Sequence, residues 1–268
     1  MNLIVAVIQM NSNKDWKINL DKIINKCLIA KNNGADLISL PENAFQMPIL
    51  YDFYTEVEDK HPAIKQLSNL AKKLKIWIHL GSLAILDSSS GHIFNRSYVF
   101  DNKGAVVGRY DKINLFNAMI GDKSHYKESL VFTPGNKIEF INSPWGNLGL
   151  SICYDIRFPI IYNRLAARKC KIIFIPAAFT YFTGKAHWNI LIRSRAIETQ
   201  CFIVAAAQCG IHNGIKRTYG HSSVIGPWGN FIARTRNKED IIYATINTTE
   251  IEKVKNKISI NFNDISSY

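Results

Sequence analysis

Apolar residues recur along this chain in two different periods. Between residues 16 and 31 they fall at Trp16, Leu20, Ile23, Ile24, Cys27 and Leu28, a spacing of three and four that gathers them on one helical face. Residues 63–74, 160–168 and 186–199 read as helices as well. Short apolar runs predict strands over 3–9, 36–40, 76–85, 149–153, 171–176, 202–208, 222–225, 229–234 and 241–246. Two more strands flank Asp101-Asn102-Lys103-Gly104, a glycine-containing hairpin turn. Several hairpins mixed among helices do not suit a purely parallel, doubly wound sheet. They predict a layered α/β fold of two sheets covered by helices.

No proline-, glycine- or serine-rich linker divides the 268 residues, so the expectation is one α/β domain over 1–268. No run approaches the ~18 consecutive apolar residues of a membrane span. Residues 1–9 lack the basic start and the cleavage-like end of a secretion signal, and read as the first strand. Five cysteines without a Cys-x-x-Cys pair argue against a disulfide framework or a thiol-bound zinc, and suit a reducing cytoplasm. The net charge of +12 raises the question of nucleic acid. Its lysines, however, are scattered through amphipathic stretches such as 65–75 and 253–257, with no dense basic run interleaved with aromatics. Nucleic acid is therefore not an expected partner. The positive field is better suited to gathering a small anionic substrate.

Three strand ends carry chemistry. The apolar run 148–152 stops at Cys153, with Tyr154, Asp155 and Arg157 following. A free cysteine is often a small buried hydrophobe. One at the C-terminal lip of a strand faces the cleft where open α/β sheets bind ligands. The run 35–40 meets Pro41, which cannot donate to a ladder, and Glu42 follows at once. The strand around 107–111 leads to Lys112. Glu42 or Lys112 alone reads as a solvated charge. Three such residues, each closing an apolar strand, form a nucleophile, a base and a cation.

With these motifs in place the chain resembles the nitrilase superfamily, whose Glu–Lys–Cys triad hydrolyses carbon–nitrogen bonds. The likeness runs from the opening strand through Leu40-Pro41-Glu42, Tyr110-Asp111-Lys112-Ile113-Asn114-Leu115-Phe116, Cys153-Tyr154-Asp155-Ile156-Arg157-Phe158-Pro159 and Gly184-Lys185-Ala186-His187-Trp188. The stretches at 195–201 and 204–210, with Tyr219-Gly220-His221-Ser222 and Pro227-Trp228-Gly229, are similar to the deaminated glutathione amidase branch. Omega-amidases acting on 2-oxoglutaramate share much of that pattern. The resemblance implies an α-β-β-α sandwich whose subunits pair through helices, as a homodimer or a higher homo-oligomer. It also implies a metal-free, cofactor-free hydrolysis of a small anionic amide, here deaminated glutathione, to 2-oxoglutarate and cysteinylglycine.

Residue by residue, the resemblance implies Cys153 as nucleophile and Glu42 as general base. Lys112 would lower the Cys153 pKa and, with the backbone N–H of Tyr154, hold the oxyanion. Glu128, in Tyr126-Lys127-Glu128-Ser129, matches a supporting glutamate. Arg157, Phe179 and Thr183 match residues that hold a 2-oxo acid; a structural ion pair of Arg157 with Asp155 is the other reading of that arginine. His187 and His221 have no partners at metal-ligand spacing and read as packed histidines. The chain departs from the family at Asn114, where many relatives have histidine, and over 258–268, where relatives carry a basic, proline-containing tail. A catalytically idle interaction protein on the same fold is the reading outside enzymes, and an intact triad speaks against it.

Overall fold

The computed structural model describes residues 2–49, 51–120 and 124–262; the end of the divergent tail, 263–268, lies outside them. One seven-stranded sheet runs, in spatial order, Asp240–Asn247, Asn2–Gln9, Leu37–Ser39, Trp77–His79, Ile93–Phe100 and Leu83–Leu86, with Val106–Asp111 also paired to Ile93–Phe100. A six-stranded sheet runs Phe231–Arg234, Ser223–Ile225, Phe202–Ala205, Cys170–Phe174, Gly146–Leu150 and Phe140–Ser143. At the centre of each sheet lie parallel strands, flanked by antiparallel ones.

Alternation along the first strand sorts the layers. Val5 and Val7 join the core shared with Leu148, Ile172 and Phe174 of the other sheet. Ala6 and Ile8 join the opposite core, under the helices Trp16–Asn32 and Pro62–Leu74. Successive strand residues point to opposite faces, so one strand serves both cores. Leu165 of the helix Pro159–Ala167 abuts Gly149, which places that helix on the outer face of the second sheet. Asn189–Thr199 packs beside it. The result is the α-β-β-α sandwich that the resemblance implies.

Two local expectations are corrected. The apolar run 76–85 is two strands, Trp77–His79 and Leu83–Leu86. The chain turns at Gly81, where a Cβ would collide with the Pro41 carbonyl oxygen. The strand expected over 149–153 ends at Leu150, and Cys153 opens a short 3₁₀ turn, Cys153–Arg157. Two further hairpins, Asn117–Ile120 with Ser124–Lys127 and Cys209–His212 with Lys216–Tyr219, are present, as is a short helix at Thr249–Lys255.

Candidate active site

Cys153 sits in the left-handed region, at φ 48°. That conformation costs a non-glycine residue about 1–3 kcal/mol and concentrates at functional sites. Its own N–H donates to the Pro176 carbonyl (2.9 Å), which ties the turn to the end of the next strand. The side chain is 8% exposed, and so remains open to a cavity.

Glu42 reaches the same point from the loop after Leu37–Ser39 and is 2% exposed. Its Oε1 accepts from Lys112 Nζ (2.8 Å) and Asn95 Nδ2 (3.1 Å), and its Oε2 from the Ala178 N–H (2.8 Å). Gln208 fixes the loop from behind, its amide donating to the carbonyls of Glu42 (3.1 Å) and Asn43 (3.2 Å) and to the Ser12 hydroxyl (2.8 Å). Lys112 is buried just past Val106–Asp111. Its ammonium also donates to both oxygens of Glu128, at 2.9 and 2.8 Å, while Glu128 Oε2 accepts from the Phe116 N–H at 2.8 Å. One lysine thus joins two carboxylates, and the sequence-predicted Glu42, Lys112, Cys153 and Glu128 meet at one place.

Burial works against the Lys112 charge, yet Glu128 and Glu42 hold its pKa well above the usual lysine value. Burial raises the pKa of Glu128, with Lys112 acting the other way. For Cys153 the expectation of a lowered pKa is corrected: burial first, then the adjacent Glu42 charge, push it well above the ordinary thiol range, and Lys112 only partly opposes them. Lys112 is also engaged by two carboxylates, Glu42 and Glu128, and its charge does not outweigh the burial of the sulfur.

The cavity at Cys153 has two arms, sharing Phe116, Cys153, Ala178 and Thr180. The smaller, about 230 Å³, is lined by Tyr154, Arg157, Phe179 and Thr183. Arg157 lies over the rings of Phe179 (5.3 Å) and Tyr154 (5.8 Å), and its Nη2 approaches His187 Nδ1 at 3.2 Å. The Thr183 hydroxyl meets that of Thr180 at 2.7 Å. Tyr154 follows Cys153 at the start of the 3₁₀ turn, where leading N–H groups have no partner within the turn. The larger arm, about 650 Å³ and open to solvent, extends past Asn43, Met47, Tyr51 and Phe53 to Lys216 and Arg217.

The alternative reading of Arg157 as the ionic partner of Asp155 is not what the structure holds. Asp155 is fully buried, and its Oδ2 accepts from the Tyr110 hydroxyl (2.7 Å) and the Ile152 N–H (2.9 Å). Its Oδ1 accepts from the backbone N–H and the side-chain amide of Asn114, both at 2.9 Å. Sequence reasoning missed Asn95, Gln208 and this role of Asp155; Gln208 and Asp155 lie inside motif stretches, whereas Asn95, in the polar run Asn95-Arg96-Ser97, carries no such signal.

The carbon-nitrogen hydrolase family model matches residues 4–256. A deaminated glutathione amidase of Yersinia enterocolitica is 35% identical over 263 residues, spanning 97% of this chain and 92% of that protein. Nitrilase homolog 2 of Dictyostelium discoideum is 34% identical, across 95% of this chain and 78% of the relative. The crystal structure of Saccharomyces cerevisiae Nit3, a member of branch 10 of the nitrilase superfamily, superposes with a TM-score of 0.88 at 29% identity, covering 97% of this chain and 95% of that one.

Proposed function

Because the chain belongs to the carbon-nitrogen hydrolase family, we propose that it hydrolyses deaminated glutathione to 2-oxoglutarate and cysteinylglycine through a thioester on Cys153. The observation that carries this reading is the buried meeting of Glu42, Lys112 and Cys153 at the junction of a two-armed cavity. Because burial and the neighbouring Glu42 raise the pKa of the Cys153 thiol, the proposed step joins proton transfer to attack. Glu42 takes the Cys153 proton as sulfur bonds to the amide carbon, and the carbonyl oxygen gains the negative charge. Lys112 and the Tyr154 N–H stabilise that oxyanion; one such donor is worth about 10²–10³ in rate. The oxyanion collapses, the C–N bond breaks, and Glu42 returns its proton to the departing amine. Water then attacks the thioester, giving a proton to Glu42, and the acid leaves as the thiol re-forms.

Glu128 holds Lys112 from the side opposite Glu42. Arg157 and Thr183 receive the 2-oxo acid end, with Phe179 as an apolar wall. The reaction needs no metal or cofactor. The match over 4–256 supports reading 1–268 as one hydrolase domain, and five free thiols suit a reducing cytoplasm.

For subunit pairing, Ile197 (48% exposed), Ile190 (68%) and Trp228 (54%) form an apolar face on the helix Asn189–Thr199 and the turn that packs against it at Gly229. We place a second copy of the chain there. Trp228→Glu should shift sedimentation toward the monomer, and an unchanged sedimentation coefficient would move the interface elsewhere. Release of 2-oxoglutarate, measured from deaminated glutathione and from 2-oxoglutaramate in parallel, tests the substrate. A higher kcat/KM on 2-oxoglutaramate would make the protein an omega-amidase instead.

A further inference from the structure

We propose that Lys216 and Arg217, on the hairpin Cys209–His212/Lys216–Tyr219, form a leaving-group subsite that selects amides whose departing amine bears a carboxylate at its far end. The proposal rests on the amidase reading above and extends it to the half of the substrate that the triad does not touch.

The first observation is the shape of the cavity. Its arms meet at Cys153, so an amide carbon placed there sends its acyl group into one arm and its amine into the other. Arg157 and Thr183 occupy the smaller arm, which suits a short acid. The larger arm has about 90 Å³ open to the centre of a water-sized group, several times the ~10–15 Å³ that one such group needs, so ammonia would leave most of it unfilled. Met47, Tyr51 and Phe53 give it apolar walls, which suit a side chain or a peptide backbone rather than bulk water.

The second observation is how the two cations are held. Lys216 Nζ donates to the Pro48 carbonyl at 3.1 Å, and Asn213 in the same hairpin donates to the Met47 carbonyl at 2.8 Å. The hairpin is therefore fastened to the loop that forms the opposite wall, and the ammonium is fixed at the cavity rather than swinging in solvent. Burial lowers the pKa of Lys216, with the charge of Glu128 acting the other way; a partly desolvated ammonium gains from a further anion. The Arg217 guanidinium lies 3.6 Å from the Tyr181 ring centroid. Stacking engages the face of that plane and leaves its in-plane N–H groups able to grip a carboxylate as a fork. Lys112 cannot serve this purpose, being shared between Glu42 and Glu128.

A third group points the same way. Asn43 is 8% exposed, lines this arm, and its Oδ1 is buried without a hydrogen-bond partner. It stands beside Glu42, at the point where the amine leaves, and is an acceptor for that amine's N–H. The arm thus offers an acceptor near sulfur, apolar walls, and cations beyond, matching an amino-acid or dipeptide amine with a free terminal carboxylate.

The test uses three amides of one 2-oxo diacid, releasing ammonia, a dipeptide with a free carboxylate, or the same dipeptide as its C-terminal carboxamide. Wild type should prefer the free-carboxylate amide over its carboxamide in kcat/KM. The Lys216→Gln, Arg217→Gln double variant should shrink that preference by about 10–100-fold, the scale of a lost charge-assisted contact. Equal turnover of the two dipeptide amides by wild type, or a preference unchanged in the variant, overturns the subsite. Calorimetric titration of the free dipeptide and its carboxamide provides a readout that needs no turnover. If none of the three amides is hydrolysed, the amidase reading fails. The subsite then stands if wild type binds the free-carboxylate dipeptide more tightly than the variant does, and falls if they bind it alike.

Discussion

Replacing Glu42 by glutamine keeps the shape of the side chain and removes only its charge and its ability to take a proton. In the native site its two oxygens accept from three donors, Lys112 Nζ, Asn95 Nδ2 and the Ala178 N–H. A glutamine presents one oxygen and one amide, so at least one of those buried donors loses its acceptor, at a cost of about 1–3 kcal/mol. At about 2–4 °C per kcal/mol for a domain of roughly this size, the melting temperature should fall by about 2–12 °C while the fold persists. Activity should fall much further, by about 10²–10⁴, since the positioned base is gone. The thiol should respond in the opposite sense. The Glu42 charge is one of the causes that hold the Cys153 pKa up, and Lys112 opposes it. Glu42→Gln should therefore shift Cys153 alkylation by iodoacetamide to lower pH, even as amide turnover is lost. The assay pairs the pH profile of alkylation, followed by intact mass, with steady-state release of 2-oxoglutarate. Wild-type turnover in Glu42→Gln would refute the base assignment, and an alkylation profile displaced to higher pH would refute the account of the thiol.

Cys153→Ala should abolish hydrolysis with little change in melting, and wild type quenched during turnover should carry an acyl adduct on Cys153; an adduct found instead on Cys27, Cys170, Cys201 or Cys209 refutes the nucleophile. Arg157→Lys keeps the charge but loses the planar fork, so kcat/KM should drop about 10–150-fold on amides with the acyl-end carboxylate; an equal drop on amides that lack this carboxylate removes the acid-binding role. Stability should fall as the solution is acidified below pH ~6.5, because burial lowers the pKa of His61 to about 4 and that of His79 to about 3. The unfolded chain then takes up protons that the native state refuses, at up to about 1.4 kcal/mol per pH unit for each histidine. His61→Asn, which retains an acceptor to cap the helix Pro62–Leu74, should flatten the fall seen in denaturant midpoints, and an unchanged slope would exclude His61 from it.

Helices were the most legible part of the chain, since a helix that packs on a sheet must repeat its apolar face every three or four residues. Trp16, Leu20, Ile23 and Cys27 mark the helix Trp16–Asn32 for that reason. The split of 76–85 was not legible, because Leu80, Leu83, Ala84 and Ile85 remain buried around the corner at Gly81, and the polar residues beside it, His79 and Ser82, are buried as well. A cue was available for the hairpin that carries Lys216. Asn213-Gly214 is a turn dipeptide, and both residues adopt positive φ, at 50° and 75°. The triad's parts lie far apart in sequence, and each strand ending made only a candidate. Their meeting was implied by resemblance, and it is the topology that puts the three strand ends at one lip. The upward direction of the Cys153 pKa was not legible at all. It depends first on how deeply the sulfur is buried and then on the Glu42 charge beside it, neither of which sequence spacing reveals.

Asp155 shows how adjacency in sequence misleads and what it conceals. Two residues from Arg157, it invites reading as an ionic partner. The 3₁₀ turn sends the two side chains apart, Arg157 into the cavity and Asp155 into the interior. There its four accepted hydrogen bonds come from two segments. Tyr110 and Asn114 stand two residues either side of Lys112, while the Ile152 N–H immediately precedes Cys153. One buried carboxylate therefore ties the strand end that delivers the ammonium to the turn that delivers the sulfur. Burial raises the pKa of Asp155, opposed by the bonds from Tyr110, Ile152 and Asn114. Those bonds favour the ionised form, which can accept all of them at once. The cost of burying the charge is thus set against a fixed separation between Lys112 and Cys153. Asn114 gives both its backbone N–H and its side-chain amide to the same oxygen, so this position completes the clamp by orienting Asp155.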